Sequence, residues 1–316
     1  MTRTGAAAGH LGYYHEAVCY DSDDDLLAVA VPFLLGGAEA GEPTIVALGE
    51  RSAGVVRSAL PGDAPVVFMS GGAMYARPAG AIRAYRKLLA EHVTAGAGQI
   101  RIIGELTTEM FGPAWDSWAR YESAINHAYD EFPLWSMCAY DTRTMPPAVH
   151  EDVLRTHPRT AMPDGRHVPN ETYVDPVSFL SDRRRPVPDP LQRGVPRADI
   201  DSPTLSDARQ AVRDADGGRL APDDVDDLVV AVSEAVANGH RHGRAPVRMR
   251  LWSGDDRIVV TVSDAGPGPK DPFAGLLPTG DGLDGGLGLW IAHQSCDHVV
   301  MYRDAGAFTI RLTAGR

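Results

Sequence analysis

Glu234-Ala-Val-Ala-Asn238, Asp264-Ala-Gly-Pro-Gly268 and Gly285-Gly-Leu-Gly-Leu289 follow one another in that order near the C-terminus. The first lies in a helical run, where a spacing of four places Glu234 and Asn238 on one face. There a carboxylate can accept a proton while an amide oxygen holds a divalent cation. The second follows an alternating strand, Arg257-Ile-Val-Val-Thr-Val-Ser263. An aspartate buried at a strand end, followed by glycines that let backbone approach a ligand, suits recognition of a purine amino group. The third opens an apolar helix, Leu287 to Ala292, whose first N–H groups are free to receive phosphate. Each segment alone is commonplace, since such residues are more often a solvated helix face, a turn or an ordinary helix start. Their order at helix, strand and helix is what makes them specific.

The surrounding text has the same grammar. Two helical patterns, Pro203 to Asp216 and Pro222 to His242, precede strands at Val247 to Trp252 and Arg257 to Ser263. Further strands are expected near His298 to Tyr302 and Phe308 to Leu312. Helices gathered on one face of a largely antiparallel sheet make an α/β sandwich. Upstream, residues 181–198 carry prolines and arginines with almost no apolar content, which predicts an extended linker. Before it, short apolar strands (Tyr13 to Tyr20, Pro43 to Gly49, Pro65 to Ser70, Gln99 to Gly104, Leu134 to Tyr140) alternate with helices (Asp24 to Ala40, Arg77 to Ala95, Pro113 to Glu131). That alternation predicts a doubly wound, mainly parallel sheet. The expected organisation is a domain over 12–180, the linker over 181–198 and a second domain over 199–316.

Composition narrows the functional classes. The net charge of −12 offers no basic face for nucleic acid, and no apolar run approaches a membrane span. Three scattered cysteines, Cys19, Cys138 and Cys296, leave an odd count, which favours a reducing cytoplasm over a disulfide framework.

The three C-terminal segments resemble the GHKL ATPases, whose Bergerat fold is an α/β sandwich. On that resemblance Glu234 and Asn238 fall in the N box, Asp264, Gly266 and Gly268 in the G1 box, and Gly286 and Gly288 in the G2 box. Within that group the stretch from Asp199 onward is similar to the anti-sigma-factor serine kinases. The similarity rests on Leu205, Ala208-Arg209 and Val212, on Leu228 to Asn238 followed by His242-Gly243, and on Gly286 to Ile291 with Cys296-Asp297. It implies ATP and Mg²⁺ as cofactors, Glu234 as general base and Asn238 as the Mg²⁺ ligand. It also implies nucleotide contacts from Asp264, Gly266, Gly268, Gly286, Leu287, Gly288, Leu289 and Thr309. The partners it implies are a sigma factor and a STAS-domain anti-anti-sigma protein phosphorylated on Ser or Thr, together with a homodimer through the C-terminal domain. Two other readings stay open: a non-catalytic ATP-binding module that sequesters a sigma factor, and an atypical sensor histidine kinase. The latter is disfavoured because residues 183–216 contain no histidine. The lid between Gly268 and Gly285 is short and carries Pro269, Pro272 and Pro278, with Pro267 just ahead of it.

The N-terminal stretch resembles the MEDS sensory domain. The matching residues are His15-Glu-Ala-Val-Cys-Tyr20, Val31 to Leu34, Gly41 to Pro43, Gly104-Glu105, Tyr121-Glu122, Asn126, Tyr140-Asp141 and Arg155 to Pro158. That family looks like a degenerate RecA/KaiC relative, and no GxxxxGK(S/T) run marks a second ATP site here. His15, Glu105, His127, Cys138 and His157 are candidates for a sensory small-molecule ligand or a metal. The competing reading makes them satisfied polar residues of an α/β core.

Overall fold

The computed structural model describes residues 3–69, 75, 77–183, 185–278 and 287–315. The chain forms two compact units. One comprises Met1–Ala76, Ala81–Phe111 and Trp118–Phe179; the other comprises Arg77–Gly80, Gly112–Ser117 and Leu180–Arg316.

In chain order the first elements are β1 (Tyr14–Tyr20), α1 (Asp23–Glu39), β2 (Thr44–Ala47), α2 (Glu50–Ala59), β3 (Val67–Phe68), α3 (Pro78–Thr94), β4 (Ile100–Glu105), α4 (Trp115–Ala128) and β5 (Leu134–Asp141). They continue with α5 (Pro147–Thr156), β6 (Arg159–Ala161), β7 (His167–Pro169) and α6 (Pro176–Ser181). The sheet order is β3-β2-β4-β5-β1-β6-β7, parallel except for the β6–β7 hairpin at one edge. β1, β2, β4 and β5 are buried almost throughout, as expected of strands covered on both faces. Sequence reading missed α2, α5 and the β6–β7 pair. α2 carries Gly54 and few apolar residues, and strands of three residues are too short for periodicity to register.

α1 begins with a strong local signal. Ser22 accepts a hydrogen bond from Asp25 N at 3.1 Å, and Asp23, Asp24 and Asp25 fill the first turn beside the positive end of the helix dipole. Between α1 and β4 the core holds an ion pair, Arg101 Nε to Glu42 Oε2 at 2.6 Å, with both side chains less than a tenth exposed. The same guanidinium donates to Phe33 O at 2.8 Å and to Thr4 Oγ1 at 2.6 Å, and stacks 4.6 Å over the Trp135 ring.

The second unit contains β8 (Ala198–Asp201), α7 (Leu205–Asp216), α8 (Pro222–His242), β9 (Arg248–Ser253), β10 (Arg257–Asp264), α9 (Leu287–Ser295), β11 (His298–Asp304) and β12 (Ala307–Gly315). Its sheet is wholly antiparallel in the order β11-β12-β10-β9-β8. Alternate residues Ile258, Val260 and Val262 on β10, and Ile310 and Leu312 on β12, join Val212, Val232 and Val236 of the helices in one core. Helices on one face of an antiparallel sheet are the sandwich that the C-terminal pattern implies.

The Pro- and Arg-rich segment departs from the extended linker expected of it. It packs on the second unit through polar groups, which supply what its missing apolar residues cannot. Arg257 Nε donates to buried Asp189 at 3.1 Å, Arg311 Nη1 to Val187 O at 2.9 Å, and Trp252 Nε1 to Gly194 O at 3.1 Å. β8 extends the sheet from its end, with Arg248 Nε 2.6 Å from Asp199.

Removing one member of a buried ion pair leaves the other unpaired. Arg101→Ala is therefore expected to destabilise the first unit by about 3–5 kcal/mol. Calorimetry checks this as a lowered midpoint of that unit's unfolding; an unmoved midpoint would count against the pair's importance.

Candidate functional site

α8 opens with Pro222 at its first position and Asp223 and Asp224 in its first turn, all favourable at a helix start. Its fully buried residues turn toward the sheet, and Glu234 and Asn238 occupy the half-buried stripe beside them. Onto that stripe comes the first turn of α9. A Cβ at Gly288 would fall on Glu234 Oε2, well inside van der Waals contact, and 3.4 Å from Asn238 Nδ2. Only a residue without a side chain permits this approach. Leu287 beside it is exposed, while Leu289 packs on the core. Gly286 lies outside the described residues, as does 279–285 of the lid.

Asp264 ends β10 on the helix-facing side, since its antiparallel partner is Phe308, a core residue. It is 7% exposed. Its Oδ1 accepts from Gly266 N at 2.6 Å and Arg244 N at 3.2 Å, which fixes the carboxylate's orientation. Among the described residues no donor is found at Oδ2, which is the oxygen left for a ligand's N–H. Gly268 then turns the chain at φ +77°, where a Cβ would meet the Phe308 ring at 2.5 Å. Arg303 Nη1 donates to Gly266 O and Arg183 Nη2 to Pro269 O, each at 2.8 Å, so two guanidinium groups hold the loop leaving Asp264.

Thr309 is not part of this group. It pairs in register with Ser263, and their hydroxyls lie 2.9 Å apart. Strand alternation turns both to the face opposite Asp264. The sequence reading overlooked the backbone N–H of Arg244, which carries no side-chain signature, although the neighbouring His242-Gly243 marks where α8 must stop.

In the first unit, three of the five candidates converge. His15 from β1, Cys138 from β5 and His157 after α5 meet, and the fourth member is Glu122 of α4. Glu105 is elsewhere: its carboxylate accepts from Tyr20 Oη at 2.9 Å, Ser52 Oγ at 3.0 Å and Gly49 N at 2.9 Å. His127 is exposed on α4. Burial lowers the His15 pKa to about 4 and the His157 pKa to about 3, with the His15 ring adding to the second shift. Burial also raises the Glu122 carboxyl and the Cys138 thiol above their ordinary values. A separate cavity of about 500 Å³ opens beside α1, with Phe33, Trp135, Met137 and His167 in its wall, and gives a small molecule room.

Comparison with known proteins agrees with this division. Residues 14–158 match the family described as MEDS, the methanogen/methylotroph DcmR sensory domain. Residues 199–314 match the histidine kinase-like ATPase domain. The C-terminal region is 35% identical over 106 residues to the serine-protein kinase RsbW of Bacillus licheniformis, covering 29% of this chain and 64% of that relative. It is 30% identical over 98 residues to RsbW of Staphylococcus epidermidis, covering 27% of this chain and 62% of that relative. For RsbW of Staphylococcus aureus strain JH9 the identity is 29% over 110 residues, covering 29% and 65%. The chain thus spans less than two thirds of the length of these relatives. No helix among the described residues is long and apolar enough to cross a membrane.

Gly288→Ala tests the seating of α9. The atom that an added methyl meets is the far end of a flexible side chain, so the unit should stay folded while the Glu234 carboxylate is displaced. ATP affinity measured by calorimetric titration should fall at least about tenfold, near 1.4 kcal/mol. Unaltered affinity in a folded variant would show that the contact does not shape the site.

Proposed function

We propose that the C-terminal unit binds ATP with Mg²⁺ and transfers the γ-phosphoryl group to a Ser or Thr of a STAS-domain partner. In this reading it controls the availability of a sigma factor, and the N-terminal unit sets its output. The observation that carries the reading is the first turn of α9 seated on Glu234 and Asn238. It brings a carboxylate, a side-chain amide and the backbone of a helix start close together, the groups that a base, a metal ligand and a phosphate seat would require. The partly matching relatives named as serine-protein kinases support it.

Each group has a role that its chemistry allows. Asp264, with Oδ1 held by two backbone donors, offers Oδ2 to the adenine amino group. The N–H groups opening α9 face the phosphates. Glu234 takes the proton of the attacking hydroxyl. Asn238 would hold Mg²⁺, which when bound neutralises phosphate charge. Phosphoryl transfer asks mainly for such positioning and charge compensation.

Labelled ATP with the STAS partner is the direct test. Label on the partner supports the kinase; label nowhere indicates a binding module, and label on the protein itself a histidine kinase. Asp264→Asn turns an acceptor partly into a donor facing a donor. ATP affinity should then drop by about ten- to a hundredfold, the roughly 1–3 kcal/mol of an unmet buried hydrogen bond. Glu234→Gln should bind ATP normally while partner phosphorylation falls on the order of 10²–10⁴-fold. Equal loss of binding in Glu234→Gln would mean that Glu234 is structural.

A further inference from the structure

We infer that His15, Glu122, Cys138 and His157 form a binding site for one divalent transition-metal ion of the Zn²⁺ type, inside the first unit. Geometry is the first argument. His15 Nε2 lies 3.3 Å from Cys138 Sγ and 3.6 Å from Glu122 Oε2. His157 Nε2 lies 3.5 Å from the same carboxylate oxygen, and Cys138 Sγ 3.7 Å from it. All four donor atoms fall within 4.8 Å of one another. A tetrahedral ion with bonds of about 2.0–2.3 Å holds its donors roughly 3.3–3.8 Å apart. Four of the six separations among these atoms already fall in that range.

The second argument is the direction of the lone pairs. Asn126 Nδ2 donates to three carbonyls, those of Glu122, Ser123 and Thr156, at 3.0, 3.2 and 2.8 Å. Its amide oxygen must then face His15 Nδ1, 3.0 Å away, so that nitrogen carries the hydrogen. His157 Nδ1 faces the Val153 carbonyl at 2.8 Å and carries one too. Both Nε2 atoms consequently present lone pairs inward, that of His15 to Cys138 Sγ and Glu122 Oε2 and that of His157 to Glu122 Oε2. Without an ion, the Glu122 carboxyl and Cys138 thiol hydrogens are the ones left to meet these lone pairs, and a dication takes the place of both; His157 Nε2, fully buried, has no hydrogen-bond partner among the described residues. Two inward ring lone pairs beside a thiol and a carboxyl that can each give up a hydrogen suit a cation. Holding the far ring nitrogen by an amide or a carbonyl is also how proteins orient histidine ligands.

Charge is the third. Two neutral imidazoles, a thiolate and a carboxylate around a dication give a complex of zero net charge, which a buried site can hold at small desolvation cost. Mixed nitrogen, sulfur and oxygen donors fit Zn²⁺ and exclude Ca²⁺ or Mg²⁺, which take oxygen ligands. Four protein donors leave no open position, so the ion would tie β1, α4, β5 and the end of α5 together and not act as a catalyst.

The test uses full-length protein stripped with a chelator and checked for fold by circular dichroism. Titration with Co²⁺ should give one ion per chain with tetrahedral bands and thiolate-to-cobalt charge transfer, and equimolar Zn²⁺ should displace it. Cys138→Ser should abolish the charge transfer and weaken Zn²⁺ binding by at least about tenfold, whereas His127→Gln should change neither. If Cys138→Ser does not fold, the wild-type spectrum decides alone. Uptake below about a tenth of an equivalent, or a cobalt spectrum without sulfur charge transfer, would overturn the proposal. Charge transfer surviving in folded Cys138→Ser would do so as well.

Discussion

A helix can begin on top of a carboxylate only where no side chain stands between them, and the C-terminal unit is organised around that contact. Gly288 brings the start of α9 onto Glu234 and Asn238, and the rest of the unit keeps α8 and α9 at that separation. The core residues of α8 anchor it to β10 and β12, and Leu289 with Ala292 anchors α9 to the same core. The loop after Asp264 is held separately by two arginines, so the strand-end carboxylate keeps its direction independently of the helix pair.

The N-terminal unit solves a different problem, that of placing many polar groups inside a sheet covered on both faces. Arg101 with Glu42 is one solution, and Glu105 with Tyr20, Ser52 and Gly49 N is another. In both, every strong acceptor has donors. The group around Glu122 departs from that rule at His157 Nε2, a buried ring nitrogen with no hydrogen-bond partner among the described residues. Buried polar atoms are partnered so regularly that such an exception asks for a chemical reason.

The fold classes could be read from the sequence because each rests on periodicity. Strands alternating with long helices specify the parallel sheet, and helices followed by period-two strands specify the antiparallel one. Elements carried by few residues escaped: α2 with its internal glycine, the three-residue strands β6 and β7, and β8, whose polar alternation merges with the preceding segment. At the sites, residue type was a better guide than residue direction. Thr309 has suitable chemistry and the wrong face, a matter of register that only pairing with Ser263 reveals. Glu122 stands four residues before Asn126 on α4, so both share a helix face with the cluster. Nothing in the sequence distinguished that pair from Glu105 and His127 until the strands were aligned.

The acidic first turn of α1 sets the local electrostatics just after β1. In nucleotide-binding relatives of such sheets, the helix following the first strand lends its unsatisfied N–H groups and the positive end of its dipole to phosphate. Here Ser22 caps that end, and Asp23, Asp24 and Asp25 already supply the negative charge. The helix carries its own counter-anions, and although Arg51 and Arg143 pair with Asp23, the positive end of the dipole is already matched before any phosphate arrives. Placing a glycine-rich loop before this helix would therefore not by itself make its start a phosphate seat.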